Sequence, residues 1–336
     1  MASPFSRKRL RQLLHELNLR WMPPADIIWS KGGGDFCDVA GPWKYRRGRT
    51  ESTQSDAFFA RHYGAAAGLV WVRLGTIARE GQACDLDRFA KVALPHITRP
   101  FILITTDGDL SVPSELSPPT VAAIKSHPNL IAWYSQNADG SDTAVIPFPI
   151  GLDLHTARGR AKASRLLPML LELGKSAPSA ALRQLRVFSD LNLQPTAARD
   201  EAHKAVEGCE HVDFASVRVP QFEIWRRYAS YPFVMSAHGN GLDCHRTWEA
   251  LCLGCIVIVK TSSLDPLYEG LPVVIMEDWG QVRDIQQLKR WLEALGPLTA
   301  PSYIQGRLDP QAWLRPIRER LVAPEASPRG FTTPSV

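Results

Sequence analysis

The sequence predicts an α/β protein made of two Rossmann-like domains. Three observations carry this. Short apolar runs rich in Ile and Val alternate with helical patterns in residues 57–174 and again in residues 184–300. Residues 174–183 (GKSAPSAALR), between the two blocks, are small and polar, as a linker is. One stretch, Tyr231 to Trp279, spells a complete strand, glycine loop, helix and strand, the βαβ unit of a parallel sheet. A length of 336 residues suits two domains.

In chain order, residues 5–20 read as an amphipathic helix with Leu10, Leu13, Leu14 and Leu17 on one side, stopped by Pro23-Pro24. Ile27-Ile28-Trp29 is expected as a short strand leading into Lys31-Gly32-Gly33-Gly34-Asp35, either a flexible turn or a loop beside a cleft. Residues 41–56 are basic and polar and are expected as a loop. Helix is expected at Asp56–Ala67, strand at Gly68–Arg73, helix at Leu86–Ala93 and strand at Phe101–Thr106. A helix near Pro118–Lys125 and a strand near Leu130–Tyr134 follow, and Arg158–Gly174 is a helix, read as the crossover between domains. The second block gives strands at Leu185–Leu191, His211–Phe214, Pro232–Ala237, Cys255–Val259 and Val273–Met276. Helices at Thr196–Glu207, Pro220–Tyr228, Cys244–Leu253 and Gln281–Leu295 alternate with them, which is a doubly wound domain. Residues 301–321 are expected as a last helix and residues 322–336 as a disordered tail.

The Tyr231–Trp279 stretch carries the chemistry. Ligands of parallel sheets bind at the carboxyl ends of strands, and a helix start with free N–H groups suits phosphate. The loop His238-Gly239-Asn240-Gly241 leads into a helix for which Asp243 is the expected N-cap. His245 and Arg246 fall in its first turn, with Glu249 at i+4 and i+3, so the three share a face or a near neighbour of it. The spacing alone also allows an ordinary surface Arg–Glu pair.

HGNGLDCHRTWEALCLGCIVIV, followed by SSLDPLYEGLPVVI, resembles the exostosin-like glycosyltransferases, enzymes of GT-B fold. FILITTDGDLSVPSE, HPNLIAWYSQN and PFPIGLD resemble their N-terminal half, so the likeness covers about residues 60–295. Val257 stands where that family often has Pro, a departure at a core position. The resemblance implies a GT-B-like protein whose two domains face each other across a cleft and transfer a sugar from a nucleotide-sugar donor to an acceptor hydroxyl. Glu249 would hold the ribose hydroxyls, and Arg246 and the 238–241 loop would face the diphosphate. The acceptor would be a glycan, a lipid-linked sugar or a small molecule.

A departing diphosphate gathers negative charge, which a metal-free site must meet with backbone N–H groups and a cation. The loop and Arg246 supply these, and Lys260 at the next strand end is a second candidate cation or a solvated lysine. Ser263 lies where sugar hydroxyls would be reached, while Asp265 beside it either reaches them too or caps a short helix. An inverting enzyme also needs a base, for which Asp107, Asp109 and His155 are candidates, because they end strands or loops of the first domain. Asp107-Gly108-Asp109 has the spelling of a metal-binding DxD, but a metal-independent GT-B reading is preferred, with no metal and no cofactor expected. The competing readings are an inactive GT-B-like scaffold and an enzyme acting on nucleic-acid bases.

Residues 1–50 carry ten Lys/Arg against four Asp/Glu, so the net charge of +5 belongs to this segment. Its clusters Arg7-Lys8-Arg9-Leu10-Arg11 and Lys44-Tyr45-Arg46-Arg47-Gly48-Arg49 are either solvated or a peripheral contact to acidic lipid or nucleic acid. No run has membrane-span length and no signal-peptide h-region is present, so a cytoplasmic location is expected. The six cysteines, including the Cys252/Cys255 pair, are expected as buried free thiols.

Overall fold

The computed structural model describes residues 7–20, 22–75, 84–156 and 162–322, with side chains from residue 13 onward. The Leu10 side chain, Arg158 and nearly all of the expected tail therefore lie outside what is described. Two parallel sheets organise the chain. The first, in the order β1-β2-β3-β4, comprises β1 (Gly68–Gly75), β2 (Phe101–Gly108), β3 (Leu130–Ser135) and β4 (Val145–Pro147). The second, in the order β6-β5-β7-β8-β9, comprises β5 (Val187–Ser189), β6 (Val212–Phe214), β7 (Phe233–Met235), β8 (Ile256–Lys260) and β9 (Val273–Met276). Every strand pair is parallel, which meets the expected fold class of two Rossmann-like α/β units.

The first half adds α1 (Arg7–Arg20), α2 (Trp43–Arg46), α3 (Asp56–Tyr63), α4 (Asp85–Arg88) and α5 (Pro118–Lys125). After α6 (Ala163–Ser176) the second half adds α7 (Ala197–Val206), α8 (Gln221–Ser230), α9 (His245–Cys252) and α10 (Ile285–Leu295). β1 and β2 are buried along almost their whole length, as parallel strands covered on both faces must be. Helix starts are fixed locally: Ser55 accepts from the Phe58 amide and Thr196 from the Arg199 amide. One face of the second sheet packs Val187 and Ile256 against Ala202, Val206 and Leu288 of α7 and α10. Its other face joins a core that runs on through Trp225, Trp248 and Leu170 into the first sheet.

The chain then returns. The single C-terminal helix expected over 301–321 is two helices, α11 (Pro301–Leu308) and α12 (Pro310–Glu319). Asp309 between them caps α12, and Pro310 cannot donate into α11. The Leu308 carbonyl accepts from the Ile28 amide at 2.8 Å, and Arg318 pairs with Asp38 at 2.8 Å, which ties this end to the first half.

Four expectations near the N-terminus are corrected. Leu13, Leu14 and Leu17 are exposed, because α1 turns His15 and Leu19 inward instead. Ile27–Trp29 forms no strand, only a bridge from Trp29 to Leu152. The triple-glycine loop is packed rather than flexible, with Lys31, Gly33 and Gly34 buried. Residues 41–56 include α2 and bury Tyr45 and Arg47, since Arg47 lies between the Trp29 and Trp43 rings and pairs with Asp35. Arg47 of the second basic cluster is thus interior and Arg46 half-buried, while Lys44 and Arg49 stay exposed.

Gly151 has a φ of +66°, and a Cβ there would strike the Ile28 carbonyl. Gly151→Ala is expected to lower the unfolding free energy by about 2 kcal/mol or more in a urea titration, from strain and backbone collision together.

A candidate active site between the two halves

The floor of the site is an ion cluster at the end of β2. Asp107 takes a left-handed backbone, φ 64°, and its carboxylate is enclosed. Lys31 Nζ donates at 2.7 and 2.8 Å, Thr50 Oγ1 at 2.7 Å, and Arg73 Nε stands 3.2 Å away. Burial alone would raise this carboxyl, but the Lys31 ammonium and Arg73 guanidinium outweigh it and hold Asp107 below the usual carboxylate range. With its oxygens taken, Asp107 is a structural anion and not a base, which corrects its candidacy. Lys31, Thr50 and Arg73 were missed in this role, because partners 57 and 76 residues apart leave no mark of spacing.

Above this floor stands His155. Its Nδ1 lies 3.0 Å from Ser30 Oγ and 3.1 Å from Asp153 Oδ1. A carboxylate can only accept, so a proton on Nδ1 suits both neighbours and leaves the Nε2 lone pair free. Asp153 is itself fixed by the amides of His155 and Thr156. Burial, reinforced by Lys31 and His245 and opposed by Asp153 and Asp107, pushes the imidazole down to about 4. The His155 side chain nevertheless keeps 25% of its surface exposed, so its edge is reachable.

Across from it, His245 opens α9 and donates from Nδ1 to the Gly151 carbonyl at 2.7 Å, which again leaves Nε2 as the acceptor. The two rings meet edge to face at 5.7 Å. Asp109 is solvent-accessible beside them. Its carboxyl is raised by partial burial and by Asp107 and Glu51, against a downward pull from His245. Of the three expected base candidates, the fold therefore leaves His155 and Asp109 open and closes Asp107.

The halves are clamped by the loop before α9. Asp243 does not cap that helix, whose N-cap is Cys244. Its Oδ2 reaches the first half and accepts from the Ile150 amide at 2.7 Å, while Oδ1 accepts from the Trp248 indole at 2.9 Å and the Cys244 amide at 2.8 Å. Asn137 Oδ1 accepts from the Asp243 amide at 2.9 Å, and Ser263 Oγ donates to the Ala138 carbonyl at 2.6 Å. Gly241 packs on the Asn137 amide, where a Cβ would stand 2.7 Å from Nδ2. Ser263, expected at the sugar, is thus spent on the joint between the halves.

His245, Arg246 and Glu249 do not converge. α8 packs over the face that Arg246 and Glu249 share, and it takes both. Arg246 Nε lies 2.7 Å from Asp190 and 3.3 Å from the Tyr228 hydroxyl, while Glu249 accepts from Gln221 at 2.7 Å and the Trp225 indole at 2.9 Å. Lys260 pairs with Glu201 on the surface, which makes it a solvated strand-end lysine. Asp265 accepts from Thr261 and the Ser262 amide, a local turn role.

The loop itself keeps polar capacity. His238 accepts Thr196 Oγ1 on its carbonyl, and burial lowers its imidazole pKa. Among the described residues the amides of Asn240, Gly241 and Leu242 donate to no protein group, whereas Gly239 N donates to Gly241 O. Arg199 of α7 lies beneath Gly239, buried, with its Nε lacking a hydrogen-bond partner, as does Nη1 of Arg246. Both guanidiniums bear on Cys244 at the start of α9. Arg199 was missed because it reads as one more basic residue in the first turn of an ordinary helix.

Among the described residues one trio, Asp153, His155 and His245, offers ligand atoms within 4.8 Å of one another. The Lys31 charge disfavours a positive charge at His155, whereas Asp153 and Asp107 favour one. The cysteines are free and mostly buried, Cys37 being half-buried.

No protein family's sequence profile and no curated protein matches the chain. Solved structures resemble it at low identity. The α,α-trehalose-phosphate synthase (UDP-forming) of Burkholderia vietnamiensis is 12% identical, over 80% of this chain and 75% of that one, with a TM-score of 0.45. The α,α-trehalose 6-phosphate synthase of Burkholderia multivorans is 10% identical over 92% and 83%, with a TM-score of 0.34. The UDP-forming synthase of Burkholderia xenovorans is 12% identical over 76% and 71%, with a TM-score of 0.33.

Burial raises the Asp243 carboxyl to about 6, against the bonds from Ile150 and Trp248. A carboxyl raised on folding contributes stability that is complete below its unfolded value and lost as pH rises through the folded one. The difference in unfolding free energy between wild type and Asp243→Asn is therefore expected to shift against the wild type by about 2 kcal/mol from pH 4 to pH 7. Denaturant titrations at the two pH values check it, and His155, common to both proteins, drops out of the difference.

Proposed function

We propose that this protein is a metal-independent glycosyltransferase that moves a sugar from a nucleotide-sugar donor to an acceptor hydroxyl. The observation that carries this is a His155 kept neutral, oriented by Asp153 and Ser30 and opposed by His245 from the other half. A base for a hydroxyl must be unprotonated at working pH and must present a lone pair to the cleft, and His155 meets both conditions. The resemblance of residues 231–279 to exostosin-like enzymes and the two Rossmann-like units point the same way.

In this reading the donor diphosphate lies on the free amides of Asn240, Gly241 and Leu242. Arg199 and Arg246, whose unpartnered Nε and Nη1 are buried, add positive charge from behind the helix start rather than by direct contact. Asp190 holds Arg246 in place and keeps it charged, so the guanidinium is positioned before the donor arrives. Glu249, implied by the resemblance to grip a ribose, stays in the contact between α8 and α9. The ribose is left to backbone groups of the same loop. The acceptor enters from the first half, where His155 Nε2 removes its proton and Asp109 lies within the same field. His245 stands on the donor side, where its Nε2 can accept from a sugar hydroxyl.

Titration with UDP, GDP, ADP and CMP in EDTA, followed by thermal shift, is expected to give saturable stabilisation by one of them. Arg199→Ala is expected to weaken that nucleotide about tenfold, a positive charge beneath the loop being lost. No response to any nucleotide, or a response only with added divalent metal, defeats the assignment. His155→Ala is expected to leave nucleotide affinity within about twofold and to lower turnover about 10²-fold or more. Because the His155 pKa lies below the ordinary value of 6.5, the acid limb of kcat/KM is expected below pH 6, the imidazole staying neutral until pH falls toward about 4. An acid limb at 6.5 or above would remove His155 as the base.

A further inference from the structure

α1 combines two features that have no role in sugar transfer. Leu13, Leu14 and Leu17 are 46, 50 and 42% exposed, and since Leu17 stands at i+4 and i+3 from the other two they form one face. The remaining large exposed hydrophobics, Leu182, Val217, Ile275 and Val322, lie singly on separate elements, as such residues commonly do. The opposite face of α1 is fixed. Leu19 is buried in the core, and His15 bonds the His155 carbonyl at 2.9 Å, so the helix cannot roll its leucines inward.

Immediately beside that face, at i+3 from Leu17, Arg20 lines a cavity of about 380 Å³. Lys44, Arg47, Arg49 and Arg73 also line it, with Glu16 as the single acid. Arg47 and Arg73 form its inner wall and are balanced from behind by Asp35 and Asp107. Arg49 reaches Glu16 and Glu51 only at 4.0 and 3.7 Å. Among the described residues the charged heads of Arg20 and Lys44 make no hydrogen bond or ion pair. An exposed apolar stripe therefore borders a basic pocket with unspent cations.

We propose that α1 and this pocket dock the protein on an anionic phospholipid bilayer. The leucines enter the interfacial zone, and the pocket takes the phosphate of a lipid headgroup. The chemistry selects this occupant over others. A nucleic acid would use the cations but gives three adjacent leucines no partner. A second copy in a two-fold contact would set this basic segment against itself, with ten Lys/Arg against four Asp/Glu in residues 1–50. No helix among the described residues is long and apolar enough to span a membrane, so the contact is peripheral. Docking does not depend on the proposed sugar transfer. If both hold, the His15–His155 bond places the acceptor side of the cleft next to the lipid surface.

The test uses the full chain and sedimentation with vesicles of phosphatidylcholine alone or with about one-third phosphatidylglycerol. Binding is expected to the anionic vesicles and not to the neutral ones, and to fall about tenfold or more on raising salt from 50 to 500 mM. The Leu13→Ser/Leu14→Ser/Leu17→Ser variant, all at exposed positions, is expected to bind at least tenfold more weakly with an unchanged melting temperature. Lys44→Glu is expected to lose several-fold. Absence of binding, equal binding to both vesicles, or a triple variant that binds as wild type overturns the proposal. Inorganic phosphate and a short DNA duplex are the competing ligands. Stoichiometric binding of either without vesicle binding, or a wild-type dimer that the triple variant dissolves, also overturns it and reassigns the surface.

Discussion

The clamp at Asp243 is the constraint on which the joint between the halves depends. A carboxylate buried completely is unfavourable unless its lone pairs are filled, and here an amide from each half and an indole fill them. Ile150 belongs to the strand-end segment that continues through Gly151 into Asp153 and His155, and Trp248 is a core residue of α9. One side chain thus sets the distance between the segment that presents His155 and the helix that presents His245. The Gly151 carbonyl, one residue from the clamp, then orients His245. Asn137 and Ser263 repeat the same bridging on the other side of the loop.

A second economy of charge explains which residues remain for chemistry. The first half buries Lys31, Arg47 and Arg73 with Asp35, Asp85 and Asp107. Such a network is strongly destabilised by losing one member, because a partner is left buried and unpaired. It holds its acids and bases in fixed pairs, so none is free to move a proton. It also fixes the electrostatic setting of His155, since Lys31 disfavours a second positive charge nearby. The neutral imidazole is first a consequence of burial, to which Lys31 of this cluster adds while Asp107 of the same cluster opposes it.

The sequence made the fold legible where structure is local. Strands β1 to β3 are continuous apolar runs, and Ser55 and Thr196 announce the helices they cap. The errors arise where a distant partner decides. The leucines of α1 have the right period for burial, but His15 finds the His155 carbonyl 140 residues away and turns the helix round. Arg46 and Arg47 look like solvated charge until Asp35 and two tryptophans enclose them. In the site, Asp109 and His155 were recognisable as ends of strands or loops, and the glycine loop and His245 from the helix start they lead into. Lys31, Asp153 and Arg199 were not, because their roles are defined by contacts across the fold.

The arrangement of α9 separates what the helix does from what its spelling implies. An Arg and a Glu at i and i+3 project from adjacent positions, and a neighbouring helix that covers one tends to cover the other. α8 offers them Tyr228, Gln221 and Trp225, so Glu249 becomes a buried acceptor and Arg246 is steadied by Asp190. Steadying a guanidinium differs from neutralising it. Its Nη1 still lacks a partner, and Arg199 adds a second unspent nitrogen beneath the same loop. In the proposed reading, two buried cations held behind free loop amides would need little reorganisation when negative charge develops on a leaving group. The helix start rather than the Arg–Glu pair is therefore the feature on which a donor would be recognised.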